Sequence, residues 1–286
     1  MPELPEVTAL VADLGSRLVG REVKRLDIVS FSALKTFEIS VDVLEGRRFD
    51  AITRHGKFLD FRLGDVHLVM HLARAGWIRW REDAPKPSKA LGRGPLTARL
   101  VLDDGSGFDV TEAGTKKSLA IYLVRNQLDV PGIARLGPEP LDDAFTRDKL
   151  AAILAGAGRA QIKGVLRNQS VIAGIGNAYS DEILHVAKMS PFKPASMPPE
   201  DVARLYGAMQ STLRDAIARA DGLAASELKA EKKSGMRVHG RTGLPCPFCG
   251  DTVRQVIFAD STLQYCPTCQ TGGKPLADRV LSRLLK

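Results

Sequence analysis

Four cysteines constrain this chain more than any other feature. All of them fall between residues 246 and 269, as Cys246-Pro-Phe-Cys249 and Cys266-Pro-Thr-Cys269, with sixteen residues between the pairs. Each C-x-x-C turns two thiolates toward one point, and two such knuckles complete a tetrahedral four-sulfur site. The intervening stretch DTVRQVIFADSTLQY has strand character, so a β-hairpin pinned by one Zn2+ is expected. A redox-active pair is the alternative, but it needs only one C-x-x-C and usually accompanies a βαβ unit. Four protein ligands leave no open coordination position, so the zinc is expected to be structural. A zinc ribbon can bind DNA, bind protein or brace a fold.

The 286 residues have room for two domains, or one plus a small module, and 44% hydrophobic content suffices for real cores. No apolar run approaches membrane-spanning length, and no membrane association is expected. The opening MPELPEV has neither a basic n-region nor an apolar h-region. A cytoplasmic protein is expected, nucleoid-associated if bacterial, and its cysteines are not expected to form disulfides. The formal charge of +8 suits nucleic-acid binding and suits an ordinary basic soluble protein equally well.

Along the chain, residues 6–19 show helical spacing of Val7, Leu10, Val11, Leu14 and Leu18, ended by Gly20. Strand-like material follows: REVKRLDIV, FDAITRHGKFLDFRL, VHLVMHL, ARLVLDDGSGFDV and SLAIYLV, with Asp104-Gly105 as a hairpin turn. Many strands at short spacing predict an antiparallel sandwich or barrel. Residues 83–95 read as a loop. Residues 129–140, DVPGIARLGPEP, read as a linker because of their prolines and glycines. Helices are expected at 144–157, 160–171 (ended by Ala173-Gly174-Ile175-Gly176), 177–188 with Asn177 as N-cap, and 199–220. The basic stretch LKAEKKSGMRVHGR reads as mobile or DNA-facing.

Met1-Pro2 is chemically informative. Loss of Met1 before a small residue leaves Pro2 with a free secondary amine. An α-amino group titrates at about 8, against about 10.4 for lysine, so far more of it is neutral near pH 7. A neutral secondary amine attacks an aldehyde and gives an iminium directly. On an abasic sugar that iminium acidifies the C2′ proton, and β-elimination of the 3′ phosphate follows. Glu3 and Glu6 stand beside this amine at a helix start, where they either shuttle protons or cap the helix.

Several segments together resemble the Fpg/Nei family of DNA glycosylases and abasic-site lyases (formamidopyrimidine-DNA glycosylase, MutM-like). They are the opening PELPEV, Arg54-His55-Gly56-Lys57-Phe58, His71-Leu72 through Gly76, the stretch QIKGVLRNQSVIAGIGNAYSDEIL, and Val238-His239-Gly240-Arg241 before the knuckles. The resemblance spans nearly the whole chain. It implies Pro2 as the nucleophile that displaces the damaged base, Glu3 as the acid and base at the sugar, Glu6 in support, and Lys57 on phosphate and in proton donation. It implies that Lys163 and Asn177 hold the phosphates flanking the lesion, and that Gly174 and Gly176 let the backbone approach closely. A helix N-terminus at Asn177 offers N–H groups to an anion. Gly-Ile-Gly-Asn lacks the preceding strand and third glycine of a dinucleotide loop, so no nucleotide cofactor is expected. The target nucleotide must leave the stack, and basic surface on both domains would bend and clamp the duplex.

The chain departs from the family pattern at four places. Arg74 stands at the wedge methionine, where it would fill the vacated space or touch phosphate. Thr115-Lys116-Lys117-Ser118 replaces RRFG, so charge remains and the aromatic wedge is gone; Lys116 and Lys117 are expected to touch DNA phosphates or to stand in a solvated loop. DGLAASELKAEKK, residues 221–233, replaces the loop that closes over an oxidised purine, which puts 8-oxoguanine recognition in doubt. Ser261 replaces the finger arginine that in the family binds the lesion phosphate and is linked to δ-elimination; its absence would weaken catalysis, shift the product toward β-elimination, or be covered by Arg254 or Arg237.

The expected fold class is α+β multidomain. An N-terminal antiparallel β-sandwich (1–128) precedes a linker (129–140), a helix–two-turn–helix domain (141–239), and the zinc finger with its tail (240–286). The expected function is excision of damaged bases from double-stranded DNA with abasic-site lyase activity. The alternative is a protein that binds damaged or abasic DNA, with lyase but little or no base-excision activity. Nothing in the sequence indicates an oligomer.

Overall fold

A computed structural model describes residues 1–85, 94–114, 116–258 and 261–277. Most of the loop read at 83–95 therefore lies outside the described residues, as does Thr115. The chain divides into two compact units. The first comprises residues 1–136 and 220–229, and the second residues 137–219 and 230–286.

In the first unit, helix α1 (Leu4–Leu18) begins two residues ahead of the apolar periodicity. Pro5 is tolerated in a first turn, where its missing N–H has no helical partner to lose. Glu6 Oε2 accepts from the Glu3 backbone N–H at 2.8 Å, one arm of a capping box. Val7, Leu10, Leu14 and Leu18 bury the opposite face.

Eight strands follow: β1 (Val23–Ile28), β2 (Ala51–His55), β3 (Phe58–Leu63), β4 (Val66–His71), β5 (Gly76–Arg81), β6 (Leu96–Leu102), β7 (Gly107–Glu112) and β8 (Ala120–Val124). They form two antiparallel sheets of four, ordered β1-β6-β7-β5 and β2-β3-β4-β8. Phe61 of one sheet stacks on Phe108 of the other at 5.8 Å between centroids, and Phe49 meets Phe61 edge-on at 6.1 Å. That aromatic cluster lies in the core shared by the sheets.

On the other side of the first sheet, Arg99 (β6) and Asp109 (β7) pair across the strands. Their bidentate bonds measure 2.6 and 3.0 Å, and Arg81 (β5) adds a third at 2.9 Å. The ion pair is buried, so removing either partner strands the other.

Residues 129–140 are more ordered than a linker. They open with α2 (Pro131–Ala134), whose Ile133 packs with Val130 against Val69 and Val124 on the second sheet. Prolines and glycines suggest a linker, but two apolar anchors are enough to dock the segment.

Residues 220–229 rejoin the first unit as a strap. Asp13 Oδ2 accepts from Ala225 N at 3.0 Å, and Trp77 Nε1 donates to Ala225 O at 2.9 Å. Leu223, Ala225 and Leu228 pack into the sandwich core.

The second unit holds α3 (Arg147–Ala157), α4 (Ile162–Arg167), α5 (Asn177–Val186), α6 (Pro199–Ala220, whose last residue falls in the first unit) and most of α7 (Leu228–Gly235). The hairpin β9 (Arg254–Ile257) and β10 (Thr262–Tyr265) and the short α8 (Pro267–Thr271) complete it. Its core gathers Tyr179, Leu205, Met209 and Leu213. The helix expected over 160–171 is only α4, because Asn168–Gly176 turns the chain toward α5. The N-cap of α5 is Gly176, not Asn177. The stretch 228–241, expected to be mobile or DNA-facing, is not loose chain: it is α7 followed by a segment fixed to buried Glu182. No described helix is long and apolar enough to cross a membrane.

Burial raises the Asp109 pKa, but Arg99 and Arg81 outweigh it and hold the pKa below the ordinary carboxylate value. The stability this supplies is therefore present above pH about 4 and lost as pH falls further. Asp109→Ala should cost about 3–5 kcal/mol in urea unfolding at pH 7. A cost under about 1 kcal/mol would show that the pair is replaceable.

Candidate active site and metal centre

The first unit brings three sequence-predicted residues to the start of α1. Pro2, Glu3 and Glu6 are all buried there, beneath an exposed Met1. Helix α1 packs on β2 and β3, the strands that flank the turn carrying Lys57. Lys57 is only 7% exposed, and Arg54 Nη1 holds the turn by donating to Gly56 O at 2.7 Å. His71 faces Phe58 across the sheet at 4.7 Å. Burial, and then the charge of Lys57, push the His71 pKa down to about 4, so its imidazole is neutral at physiological pH.

Sequence reasoning missed a buried carboxylate on β3, Asp60. Asp60 accepts from His55 Nε2 at 3.1 Å and from His67 Nδ1 at 2.8 Å. Burial raises its pKa, but the two imidazoles outweigh that and hold it low. Alternation along β2–β4 places His55, Asp60 and His67 on one sheet face, and that signal is readable once the register is known.

Two exposed turns meet at one end of the first sheet. In the first, Gly76 N donates to Leu72 O at 2.8 Å, which folds residues 72–76 tightly and leaves Arg74 exposed at the apex. A Cβ at Gly76 would lie 2.0 Å from Leu72 O, so only glycine closes this turn. Ala73 takes φ 50°, a strained value for a residue with a Cβ. The second turn is held by buried Glu112, whose Oε1 accepts from Ser118 N at 2.8 Å and Leu119 N at 3.1 Å. Lys117 Nζ donates to the Glu112 carbonyl, so its ammonium is engaged, while Lys116 is exposed. Ala113 N donates to Ala75 O at 3.3 Å and links the two turns.

In the second unit, Lys163 is not a surface cation. Its ammonium is buried against Asp181 Oδ1 at 2.6 Å, Ser180 Oγ at 2.8 Å and Asn177 O at 3.2 Å. Asp181 also accepts from His239 Nδ1 at 2.8 Å. Asn177 donates its side-chain amide to Thr262 O at 2.7 Å and so ties α5 to the hairpin. Gly174, at φ 83°, donates its N–H to Gln169 Oε1 at 3.0 Å. Gly176 caps α5 immediately after. Glu182 accepts from the N–H groups of Arg237, Val238 and His239 at 2.8–2.9 Å. Burial pushes its pKa up against the pull of those three donors. Arg254 is exposed at the base of the hairpin, opposite Tyr265, whereas Ser261 adjoins the tip.

The four cysteines converge as their spacing requires, with all four sulfurs within 4.8 Å of one another. Cys246–Cys269 and Cys249–Cys266 separations of 3.9 and 3.3 Å are far beyond a disulfide's roughly 2 Å. They bracket the sulfur spacing of about 3.8 Å that four Zn–S bonds of about 2.3 Å impose. Burial pushes the Cys266 thiol up to about 11 and Cys269 further, so without a cation these two sulfurs stay protonated at neutral pH, and a bound metal would displace their protons. His185 Nε2 lies 3.3 Å from Cys246 Sγ, a hydrogen bond that orients this ligand.

Known proteins match this arrangement along its length. The formamidopyrimidine-DNA glycosylase N-terminal domain matches residues 1–114, and that enzyme's H2TH domain matches residues 136–227. Formamidopyrimidine-DNA glycosylase of Symbiobacterium thermophilum is 37% identical over 284 residues, covering 94% of this chain and 89% of that protein. This chain belongs to the formamidopyrimidine-DNA glycosylase family. An uncharacterized formamidopyrimidine-DNA glycosylase-like protein of Mycobacterium tuberculosis is 61% identical over 152 residues, 53% of this chain and 94% of that protein. The Lactococcus lactis enzyme, crystallised non-covalently bound to DNA with an abasic site, superposes with a TM-score of 0.79 at 26% identity, covering 94% of this chain and 99% of that one. The family fold is complete: antiparallel sheets, an H2TH helical domain in which α4 and α5 flank the 168–176 turn, and a hairpin with four clustered cysteines.

Lys163→Met should leave Asp181 buried with His239 as its remaining side-chain partner. Unfolding free energy should fall by about 3–5 kcal/mol. Unchanged thermal and urea unfolding would make the lysine dispensable to the fold.

Proposed function

We propose that this chain excises damaged bases from double-stranded DNA and cleaves the resulting abasic site through Pro2. The observation that carries this reading is the buried Pro2-Glu3-Glu6 cluster at the start of α1, a helix packed on the strands that present Lys57. Removal of Met1 frees the Pro2 nitrogen. That nitrogen attacks C1′, and the damaged base leaves with the bonding pair. Opening of the sugar ring gives an iminium, with Glu3 as acid and base at the sugar and Glu6 holding the Glu3 backbone. Loss of the C2′ proton then expels the 3′ phosphate. Lys57, beside a neutral His71, supplies positive charge for phosphate and a proton for a leaving group. Hydrolysis of the iminium returns the amine.

The N-terminal end of α5 and the turns at Arg74 and Lys116 are the proposed DNA contacts. Lys163 acts behind this surface: it fixes the Asn177 end of α5, and the phosphate contact falls to the first turn of that helix. The four cysteines would hold one structural Zn2+, which when bound cross-links the two knuckles and so sets the hairpin.

The second reading, an abasic-DNA binder with lyase but little excision activity, is favoured by the strap. Its residues 221–229 stand where the family resemblance puts a loop that closes over an oxidised purine. Here they are tied to Asp13 and Trp77.

Borohydride trapping on duplexes carrying abasic sites or oxidised bases separates the readings. An adduct on both, lost in Pro2→Gly, is expected. An adduct on abasic DNA alone selects the second reading, and no adduct with tight binding retained would sink both. Chelating the metal should unfold the finger and weaken duplex binding at least tenfold by fluorescence anisotropy. Unchanged affinity in metal-free protein would remove the finger from the DNA interface.

A further inference from the structure

At the C-terminal end of α5 a cavity of about 300 Å³ opens beside the first cysteine knuckle. Val186, Pro247 and Phe248 form apolar walls, Cys269 borders it, and Lys188 and Arg237 bring two cations to it. Its volume is at the low end of small-molecule sites, about 300–1,000 Å³. Asn177, at the other end of α5, lies on the order of 14 Å away along the helix axis, so the cavity is separate from the proposed phosphate contacts.

Two residues here are not explained by folding. Phe248 occupies a knuckle position that metal binding leaves open to any residue, yet it is a phenylalanine and 69% exposed. Lys188 follows the helix at φ 52°, where glycine fits without strain and a side chain costs about 1–2 kcal/mol. Lys188 Nζ stands 4.6 Å from the centre of the Phe248 ring, on one of its faces. An exposed aromatic ring with cations around it is the combination that holds unpaired nucleotides, because every base offers a flat face and every nucleotide a phosphate. Hydrated inorganic anions fit poorly, since the apolar walls would strip their water without replacing it.

We propose that this cavity binds one unpaired nucleotide, its base on Phe248 and its phosphate between Lys188 and Arg237. The choice of a nucleotide over other flat anions rests on the reading of this chain as a DNA-acting protein. The nucleotide is either free or the end of a single strand.

The test uses the full zinc-loaded chain. Deoxyadenosine monophosphate, deoxyadenosine and inorganic phosphate are titrated by NMR with observation of the phenylalanine rings, and a twelve-nucleotide single strand by anisotropy. The monophosphate should bind more tightly than either fragment and shift the Phe248 resonances. Phe248→Ala and Lys188→Gly should each weaken its binding about tenfold, the glycine variant folding readily because it suits the backbone. If a strand end is the natural occupant, the single strand weakens in parallel; if a free nucleotide is, only the monophosphate does. Trapping of abasic duplex should be unchanged in both variants. Three results would overturn the proposal: monophosphate affinity unaffected by both substitutions, inorganic phosphate binding as tightly as the nucleotide, or trapping that falls in step with nucleotide affinity. Absence of any trapping in the wild-type chain would bear on Pro2 alone and would leave these affinities interpretable.

Discussion

Two adjacent carboxylates on α5, Asp181 and Glu182, are buried, and the second unit is organised around satisfying them. A buried carboxylate without partners is untenable, so each recruits several. Asp181 draws in Lys163 from α4 and His239 from the segment before the finger. Glu182 gathers three consecutive N–H groups from that same segment. Val238, held between those bonds, is part of the small core that includes Cys246 and Cys266. The finger is thus attached to the helices by polar contacts that the metal does not make, and the metal site inherits its position from α5.

The first unit rests on a different balance. Its sandwich core is apolar and aromatic, and a deeply buried ion pair, Arg99–Asp109, is bidentate and satisfied across neighbouring strands. Rigid strands carry Lys57 on one sheet and the Arg74 turn on the other. The groups proposed for chemistry and for DNA contact therefore sit on or beside regular structure, where small displacements are costly.

Much of this was legible in the sequence. The cysteine spacing announced four convergent sulfurs, and the Asp104-Gly105 hairpin and the periodicities of α1 and α6 were read correctly. The strand β5 was not, because Trp77 and Ile78 are both buried and break the alternation that identifies a half-buried strand. Docking of 129–140 and of the strap depended on a few apolar residues in stretches dominated by Pro, Gly and charge. Local composition cannot report a tertiary partner. Lys163 shows the same limit at a site residue: the family resemblance implies a phosphate contact, and only the fold reveals that the ammonium also meets buried Asp181. The Glu112 anchor of the Lys116 turn was likewise invisible, since nothing local distinguishes a carboxylate that caps a neighbouring loop from one that faces water.

The single bond from Ala113 N to Ala75 O has a wider consequence. It fixes the two exposed turns at the end of the first sheet as one unit, so the reach of the arginine and that of the lysine loop are set by a common backbone. Length changes or bulky replacements in either should be inherited in pairs, and lineages with a different plug at position 74 should carry a correspondingly different second loop.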